Sequence, residues 1–360
     1  MKVVVAIDSF KGCLTSQEAS QAAAMGIHNV CPMATVVQVP VSDGGEGFVN
    51  AFRAAMGGQL VELTVSDPLL RPVVARYLMC ERTAVVEVAQ ACGLTLLRQE
   101  ERNPMVATSF GVGQLVADAV RRGADHVIVG LGGSATSDAG IGMIRALIHN
   151  FAPRGKWDDV KELHRVRFTI ASDVSNPLCG PHGAAYTFAP QKFSAATCTD
   201  ENIRALDRRA KTFADVSARH FGYDCSCQAG AGAAGGLGYA FMQYLHAESK
   251  SGVELLLDVV HFTKKVEHAD LIITGEGSAD SQTLMGKLPL GIVKRAGSVP
   301  VCLIAGHIAN REALLQAGFA WVECITPEGL PLRDAMRSNV AQHNICHTVA
   351  RVLSAFDHKP

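Results

Sequence analysis

The chain has 360 residues, a formal net charge of −1 and 19% charged residues. A charge this close to zero excludes the broad basic surface that binding to nucleic acid or to an acidic membrane requires. The length predicts two domains, because single hydrophobic cores rarely grow beyond about 250–300 residues.

The expected location follows from what the sequence lacks. It contains no run of about 18 apolar residues that would predict a transmembrane helix. The first apolar run, Val3–Ile7, is closed by Asp8 and is too short for a signal peptide. The 11 cysteines are scattered, without a C-x-x-C pair. We therefore expect a cytoplasmic protein with reduced cysteines and no contact with membranes.

The first part of the chain alternates strands and helices. Val3–Ile7 has the continuous apolar character of a buried parallel strand. A helix is predicted over Ser16–Val30, with alanines along one face, and a second strand over Val36–Pro40. A helix through Val49 and Ala55 follows. This order is typical of an α/β layer.

The middle of the chain has a different pattern. Three strands follow one another closely, over Leu60–Val65, Val73–Met79 and Thr83–Val88. Such short connections favour antiparallel pairing. Alternation then resumes with helices at Val112–Arg121, Ile141–Ile148 and Asp200–Ala218, and with strands at His126–Leu131, Phe168–Asp173, Leu271–Thr274, Val301–Ala305 and Trp321–Ile325.

These elements predict an α/β fold with two domains around a cleft. Residues 1–62 and 268–360 are expected to form one discontinuous domain, a flavodoxin-like doubly wound parallel sheet. Residues 63–267 are expected to form an inserted domain of mixed α/β structure. The α/β character of both ends and the mixed pattern between them indicate this division.

Glycines, acids and hydroxyl residues follow five of the predicted strands. In open α/β sheets, ligands bind beyond the carboxyl ends of the strands. Each segment alone is equally consistent with a simple turn or a helix cap, but five together favour a ligand cleft. The segments are Asp8-Ser9-Phe10-Lys11-Gly12, Asp43-Gly44-Gly45-Glu46-Gly47, Gly130–Thr136, Asp173–Pro177 and Gly275-Glu276-Gly277.

The composition of these segments indicates phosphate chemistry. Glycines let backbone N–H groups approach phosphate oxygens, and a helix beginning soon afterwards favours the negative charge. Carboxylates repel phosphate unless a cation lies between them, so Asp43 and Glu46 indicate Mg²⁺. Lys11 or Lys192 is expected to neutralise a transferring phosphoryl group.

Known nucleotide fingerprints are missing. The sequence has no G-x-x-x-x-G-K-[ST] motif. The run Gly230–Gly236 contains the letters G-x-G-x-x-G, but it follows the polar stretch Asp224–Gln228 rather than an apolar strand. An NAD-dependent oxidoreductase is therefore a weak alternative.

Taken in order along the chain, the segments resemble the bacterial glycerate kinase family, of the glycerate 2-kinase type. The likeness runs from Val3 to about Gly306. It rests on the five strand-end segments and on further matches at Glu87–Leu94, Ser172–Leu178, Pro190-Gln191-Lys192, Gly230–Gly236, Asp280, Gln282 and Gly286-Lys287. The resemblance implies an enzyme that uses ATP and Mg²⁺ to phosphorylate D-glycerate, usually to 2-phosphoglycerate. It also implies two α/β domains.

The roles of single residues are assigned here from chemistry, since the resemblance carries over no catalytic assignment. Asp43 and Glu46 are expected to hold the metal, and Asp43 to be catalytic. Lys11 and Lys192 are expected to bind the glycerate carboxylate or the phosphoryl group. Asp173 or Asp280 is expected to accept a hydrogen bond from the attacking hydroxyl. The residues expected to bind the nucleotide are Ser9, Gly132, Gly133, Ser134, Thr136, Gly275, Glu276 and Gly277.

Three departures from the family pattern keep a further alternative open. Val112 and Gln114 stand where the family has a hydroxyl residue and an acid, and Ser278 stands where an arginine is frequent. The stretch 148–167 is also shorter than usual. If these positions touch substrate, we expect an altered affinity or a different hydroxy acid. The substitutions at Val112, Gln114 and Ser278 are also the only support for the alternative, a non-enzymatic sensor of a hydroxy acid or nucleotide, and the retained strand-end segments favour an active enzyme. The sequence predicts no particular oligomeric state and no particular acceptor hydroxyl.

Overall fold

The computed structural model describes residues 1–10, 12–41, 47–280, 283–285 and 287–356. It confirms the predicted α/β fold with two sheets. The strands are β1 (Lys2–Ile7), β2 (Thr35–Gln38), β3 (Gln59–Ser66), β4 (Pro72–Cys80), β5 (Thr83–Glu87), β6 (His126–Gly130), β7 (Arg167–Ala171), β8 (Glu248–Lys250), β9 (Leu271–Ala279), β10 (Val301–Ile308) and β11 (Trp321–Cys324).

The α-helices connect these strands. They are α1 (Ser16–Val30), α2 (Phe48–Met56), α3 (Ala89–Cys92), α4 (Phe110–Arg121), α5 (Ile141–Phe151), α6 (Ala184–Phe188), α7 (Asp200–Phe221), α8 (Ala233–Leu245), α9 (Gly252–Val259), α10 (Phe262–Val266), α11 (Leu288–Arg295), α12 (Arg311–Gln316), α13 (Leu332–Ala335) and α14 (Ser338–Phe356).

The chain divides into two compact units. The first unit comprises the described parts of Met1–Gly47, Ala54–Met56 and Val253–Pro360, and the second comprises Phe48–Arg53 and Gly57–Gly252. This division differs from the predicted boundaries at both places where the chain passes between the units. Residues 59–62 pair with β4 inside the second unit, and most of α9 and all of α10 lie in the first.

The sheet of the first unit is wholly parallel, with the strand order β2-β1-β9-β10-β11. Counted within the unit, this is the order 2-1-3-4-5 of flavodoxin-like folds. Every residue of Val3–Ile7 is fully buried, so both faces of the central strand are covered, as expected of a doubly wound sheet. The predicted flavodoxin-like sheet is therefore confirmed.

Helix α1 shows why the sequence folds this way locally. The Thr15 side chain accepts a hydrogen bond from the Glu18 N–H, and the Glu18 carboxylate accepts one from the Thr15 N–H, forming a capping box. Its buried face carries Ala19, Ala23 and Ile27. The two alanines let α1 pack closely with α14 over the sheet, and Ile27 fills the core between them.

The sheet of the second unit is mixed, in the order β3-β4-β5-β6-β7-β8. The β3–β4 and β4–β5 pairs are antiparallel, as the short connections predicted, and the remaining pairs are parallel. Strands β5, β6 and β7 therefore place their carboxyl ends along one edge. The segments that begin at Val88, Leu131 and Ser172 start from that edge.

Within the described ranges, no helix is both long enough and apolar enough to cross a lipid bilayer.

Candidate functional site

The first unit gathers several predicted site residues at one place. Asp8 and Ser9 directly follow β1, and Glu276, Gly277 and Asp280 lie at or beyond the end of β9. All five line one cavity of about 660 Å³. Strands β1 and β9 are neighbours where the strand order reverses direction, which is the position at which open α/β sheets bind ligands.

One predicted loop proves to be part of a strand. Gly275-Glu276-Gly277 was expected to follow a strand ending at Thr274, but β9 continues to Ala279. Gly275 pairs with Ile7 of β1 and with Ile304 of β10, so the neighbouring strands extend the ladder beyond the apolar run. A Cβ at Gly275 would lie 2.6 Å from the Ile304 carbonyl oxygen, which explains a glycine inside this strand.

Glu276 is a buried carboxylate with two partners that the sequence analysis did not single out. Its Oε1 accepts a hydrogen bond from Thr283 Oγ1 at 2.6 Å, and its Oε2 lies 3.5 Å from Lys287 Nζ. Burial raises the pKa of Glu276, while Thr283 and Lys287 oppose that shift. Thr283 Oγ1 also accepts from the Asp280 N–H at 3.0 Å. The Thr283 hydroxyl thus links the Glu276 carboxylate to the backbone of Asp280.

In the second unit, Lys192 is almost completely buried. Its Nζ donates to Ser134 Oγ at 3.0 Å and to the Thr136 carbonyl oxygen at 2.7 Å. Ser134 and Thr136 are buried as well. The structure therefore brings three predicted site residues into contact, with the lysine holding the segment that follows β6.

The charge on Lys192 is poorly solvated. Burial lowers the pKa of Lys192 to about 8, with Cys92 and the Asp138 carboxylate opposing the shift. Burial raises the pKa of the neighbouring Cys92 thiol to about 12, and Asp138 adds to that effect. A buried ammonium group is costly unless it is paired or has a function.

Asp138 is a key residue that the sequence analysis missed. Its carboxylate accepts from the N–H groups of Gly140 and Gly142 at 3.1 and 3.0 Å, and from Ser109 Oγ at 2.9 Å. Asp138 thus caps the N-terminus of α5. The N-terminus of α5 was expected to attract a phosphate. Its partial positive charge is already balanced by the Asp138 carboxylate. The order Asp138-Ala139-Gly140, an acid and a glycine just before an apolar helix, is the signal that could have revealed this cap.

The glycine-rich run Gly230–Gly236 has a structural role. Ala234, Gly235 and Gly236 all have positive φ. A Cβ at Gly235 would lie 1.9 Å from the Thr136 carbonyl oxygen. The run packs backbone to backbone against the segment that Lys192 holds, so its G-x-G-x-x-G letters do not form a dinucleotide site, and the Rossmann interpretation loses its support.

Two other carboxylates in the second unit have structural contacts. Asp173 follows β7 and is exposed, and its Oδ1 accepts from the Gly252 N–H at 3.3 Å. Glu87 Oε1 accepts from the Val49 N–H at 2.6 Å, near the start of α2. Asp173 lies at the carboxyl edge of the sheet, as predicted.

The departures from the family pattern fall into two groups. Val112, on α4, is fully buried in the core, and Gln114 Oε1 accepts from the Ser66 N–H at 2.8 Å. These two positions serve packing. Ser278, in contrast, is exposed and lines the cavity of the first unit.

The predicted metal residues Asp43 and Glu46, and the predicted lysine Lys11, lie outside the described residues. Among the residues that are described, no group of three or more His, Cys, Asp or Glu side chains is arranged to hold a metal ion. Mg²⁺ commonly takes only one or two protein carboxylates, with phosphate oxygens and water completing its coordination. The carboxylates of Asp8 and Asp280 at the first-unit cavity are donors of the right chemical type.

Comparison with known proteins accounts for both units. The model of the glycerate kinase family matches residues 3–158 and 156–357. A glycerate kinase of Bacillus subtilis (strain 168) is 41% identical, and the match covers 93% of each chain. A glycerate 2-kinase of Escherichia coli (strain K12) is 36% identical, over 96% of this chain and 95% of that one.

A solved structure is also similar to this chain over nearly its whole length. A crystal structure from Salmonella typhimurium LT2, provisionally assigned as glycerate kinase 2, superposes with a TM-score of 0.85 at 34% identity. The match covers 99% of this chain and 98% of the other. The chain therefore belongs to the glycerate kinase family, a family of phosphotransferase enzymes.

Proposed function

We propose that this chain transfers the γ-phosphoryl group of ATP to a hydroxyl of D-glycerate, giving 2-phosphoglycerate, ADP and a proton. The hydroxyl oxygen forms a bond to the γ-phosphorus, and the bond from that phosphorus to the ADP oxygen breaks. The observation that carries the proposal is the match to glycerate kinases over nearly the whole chain.

The carboxyl edge of the first-unit sheet supplies acidic groups for this reaction. Asp280 is proposed to accept a hydrogen bond from the attacking hydroxyl, which orients the oxygen and receives its proton. Asp173, at the edge of the second-unit sheet, is the alternative acceptor. Phosphoryl transfer depends mainly on positioning and on charge neutralisation, so one well-placed carboxylate is sufficient.

The segment after β6 is proposed to face the phosphates. Gly132 and Gly133 are exposed, and no described atom lies within 4 Å of a Cβ at Gly132, so a phosphate oxygen can approach this backbone. Ser134 and Thr136 are instead buried, and we propose that they and Lys192 hold the segment in shape. Lys11 is proposed as the lysine that binds the glycerate carboxylate or the phosphoryl group.

We propose Mg²⁺ as the accompanying metal, with Asp43 and Glu46 as its ligands on grounds of sequence. When bound, Mg²⁺ neutralises the negative charge of the phosphate oxygens. An acidic pair among three glycines is suited to that role, because the carboxylates can approach a metal–phosphate complex without steric conflict.

A non-enzymatic sensor remains the second candidate, and Ser278 in the first-unit cavity is its main support. An assay of ADP release with and without D-glycerate separates the candidates. Release that depends on glycerate supports the kinase. Binding of ATP and glycerate without release supports the sensor, and reduction of NAD in the presence of glycerate supports the oxidoreductase. The variant Asp280→Asn tests the proposed acceptor in the same assay, because the amide keeps the size of the side chain and removes its ability to receive the proton.

A further inference from the structure

We infer that the cavity of the first unit binds the adenine base and ribose of the phosphoryl donor. This inference rests on the proposed function, which makes ATP the donor. The cavity lies at the carboxyl ends of β1 and β9, where the strand order reverses. The chain thereby places a nucleoside against Phe10, Leu332 and Met336.

The size of the cavity favours a nucleoside over the acceptor. Its volume is about 660 Å³. Sites of about 300–1,000 Å³ enclose ligands of the size of a nucleotide or a drug, and most of their wall is apolar. Glycerate is a three-carbon acid with no apolar surface to bury, so it would fill only a small part of this space.

The floor of the cavity is shaped by backbone. A Cβ at Gly306 would lie 2.7 Å from the Gly277 carbonyl oxygen and 3.9 Å from the Phe10 ring. Any larger residue at position 306 would therefore intrude between the β9 backbone and that ring. The absence of a side chain at Gly306 keeps this part of the lining open, which leaves room for a planar base.

Another part of the lining, which we call the apolar wall, is unusually exposed. Leu332 is 72% exposed and Met336 is 41% exposed, although both line the cavity. Ile325 and Leu330 continue this wall. Covering such surface releases free energy, and an unbranched methionine adapts its shape to a flat ligand. An adenine base matches this wall, whereas a carboxylate or a phosphate group does not.

The polar part of the lining carries acids and one lysine, Lys287, whose Nζ lies 3.5 Å from Glu276 Oε2. Asp8 and Glu276 are 5% and 6% exposed, and both belong to the lining. A carboxylate has about four lone-pair positions, so each acid has capacity beyond the bonds from Ser9 N–H and Thr283 Oγ1. Acids in nucleotide sites accept hydrogen bonds from ribose hydroxyls, which gives Asp8 and Glu276 a role beside the sugar.

The test measures binding of ATP alone by calorimetry, together with the KM values for ATP and for D-glycerate. The variant Leu332→Ser with Met336→Ala removes the exposed apolar wall without altering a buried side chain. The matched control is Leu315→Ser, because Leu315 on α12 is 43% exposed in the same unit but does not line the cavity. We expect the Kd and the KM for ATP to rise about tenfold in the double variant and by less than about twofold in the control.

A second measurement does not depend on substitutions. Photochemical cross-linking of 8-azido-ATP to the unaltered protein is expected to label the peptide that contains residues 330–336. Labelling confined to other peptides would overturn the inference, and so would an unchanged Kd for ATP in the double variant. A rise in the KM for glycerate alone would assign the cavity to the acceptor. Failure of the proposed function is distinct, since ATP would then bind in this cavity without glycerate-dependent release of ADP.

Discussion

The Nζ of Lys192 donates a hydrogen bond to Ser134 Oγ at 3.0 Å, and both side chains are buried. The same ammonium group donates to the Thr136 carbonyl oxygen. Because burial lowers the pKa of Lys192 to about 8, the charge is held at a cost to the folded state. Such a cost is expected where a site depends on the shape of the segment that the charge holds.

Replacing Lys192 by methionine is expected to affect activity more than stability. The substitution removes the cost of burying a charge, but it leaves the Thr136 carbonyl oxygen without its lysine donor. These effects oppose each other, so the free energy of unfolding at pH 7 should change by less than about 2 kcal/mol. We expect kcat for D-glycerate to fall by about 100-fold or more, as measured by release of ADP.

The control for that experiment is Lys211→Met, since Lys211 is an exposed lysine on α7 that forms an ion pair with Asp215. An exposed pair of this kind contributes about 0.5 kcal/mol or less. Near-normal turnover of Lys192→Met would show that the buried lysine serves folding alone.

The stability of the protein should depend on pH through Lys192. In the unfolded chain, a lysine has a pKa of about 10.4. Because the pKa in the folded protein is depressed to about 8, the unfolded state binds more protons between these values. The free energy of unfolding of the unaltered protein, minus that of Lys192→Met, should be constant below about pH 8 and should rise by about 1–3 kcal/mol towards pH 10. Urea titrations at several pH values measure this difference, and a flat or falling difference would contradict it.

Gly235→Ala should destabilise the second unit strongly. Gly235 has a φ of +67°, and an added Cβ would lie 1.9 Å from the Thr136 carbonyl oxygen. We expect a loss of about 3 kcal/mol or more in the free energy of unfolding, from strain and from displacement of the Thr136 segment.

The matched control is Gly222→Ala. Gly222 has a φ of +77° at the end of α7, but no described atom lies within 4 Å of its added Cβ. Backbone strain alone should cost about 1 kcal/mol there. Equal losses in the two variants, measured by urea denaturation, would show that close packing against Thr136 is unimportant.

Asp43→Asn tests the proposed metal ligand. The amide keeps the size of the side chain but removes the charge that attracts Mg²⁺. We expect kcat to fall by about 100-fold or more, with a Tm within about 2 °C of the unaltered protein. Calorimetric titration of Mg²⁺ in the presence of ADP gives a second readout, in which the variant should bind the metal more weakly. Turnover at a near-normal rate would contradict the assignment of Asp43 as a ligand of Mg²⁺.

Much of the fold could be predicted from local patterns. The predicted bounds of α1 match the structure because a stripe of alanines marks the buried face of the helix in the sequence itself. The cap is Thr15, in a capping box with Glu18 that the prediction did not include. The antiparallel pairing of β3, β4 and β5 followed from their short connections. The parallel order of the first-unit sheet followed from alternation of strands and helices at both ends of the chain.

What escaped prediction depends on contacts between distant residues. Gly275 and Glu276 lie within β9 because β1 and β10 both extend beside it. The local sequence around Gly275 does not indicate this pairing. Lys287 lies close to Glu276 only once the chain has turned back between β9 and α11, and Asp138 receives a hydrogen bond from Ser109, which lies 29 residues away. The sequence could identify the strand-end residues, but not which of them are already engaged.

The proposed reaction is tested most directly by its product, 2-phosphoglycerate. Phosphorus-31 and carbon-13 NMR of a reaction with ATP, Mg²⁺ and carbon-13-labelled D-glycerate follow the γ-phosphoryl group directly. We expect this phosphorus to appear as a phosphomonoester coupled to carbon 2 of glycerate, in proportion to the ADP formed. A spectrum in which the γ-phosphoryl group is released only as inorganic phosphate, or in which ATP and glycerate both persist unchanged, would contradict it.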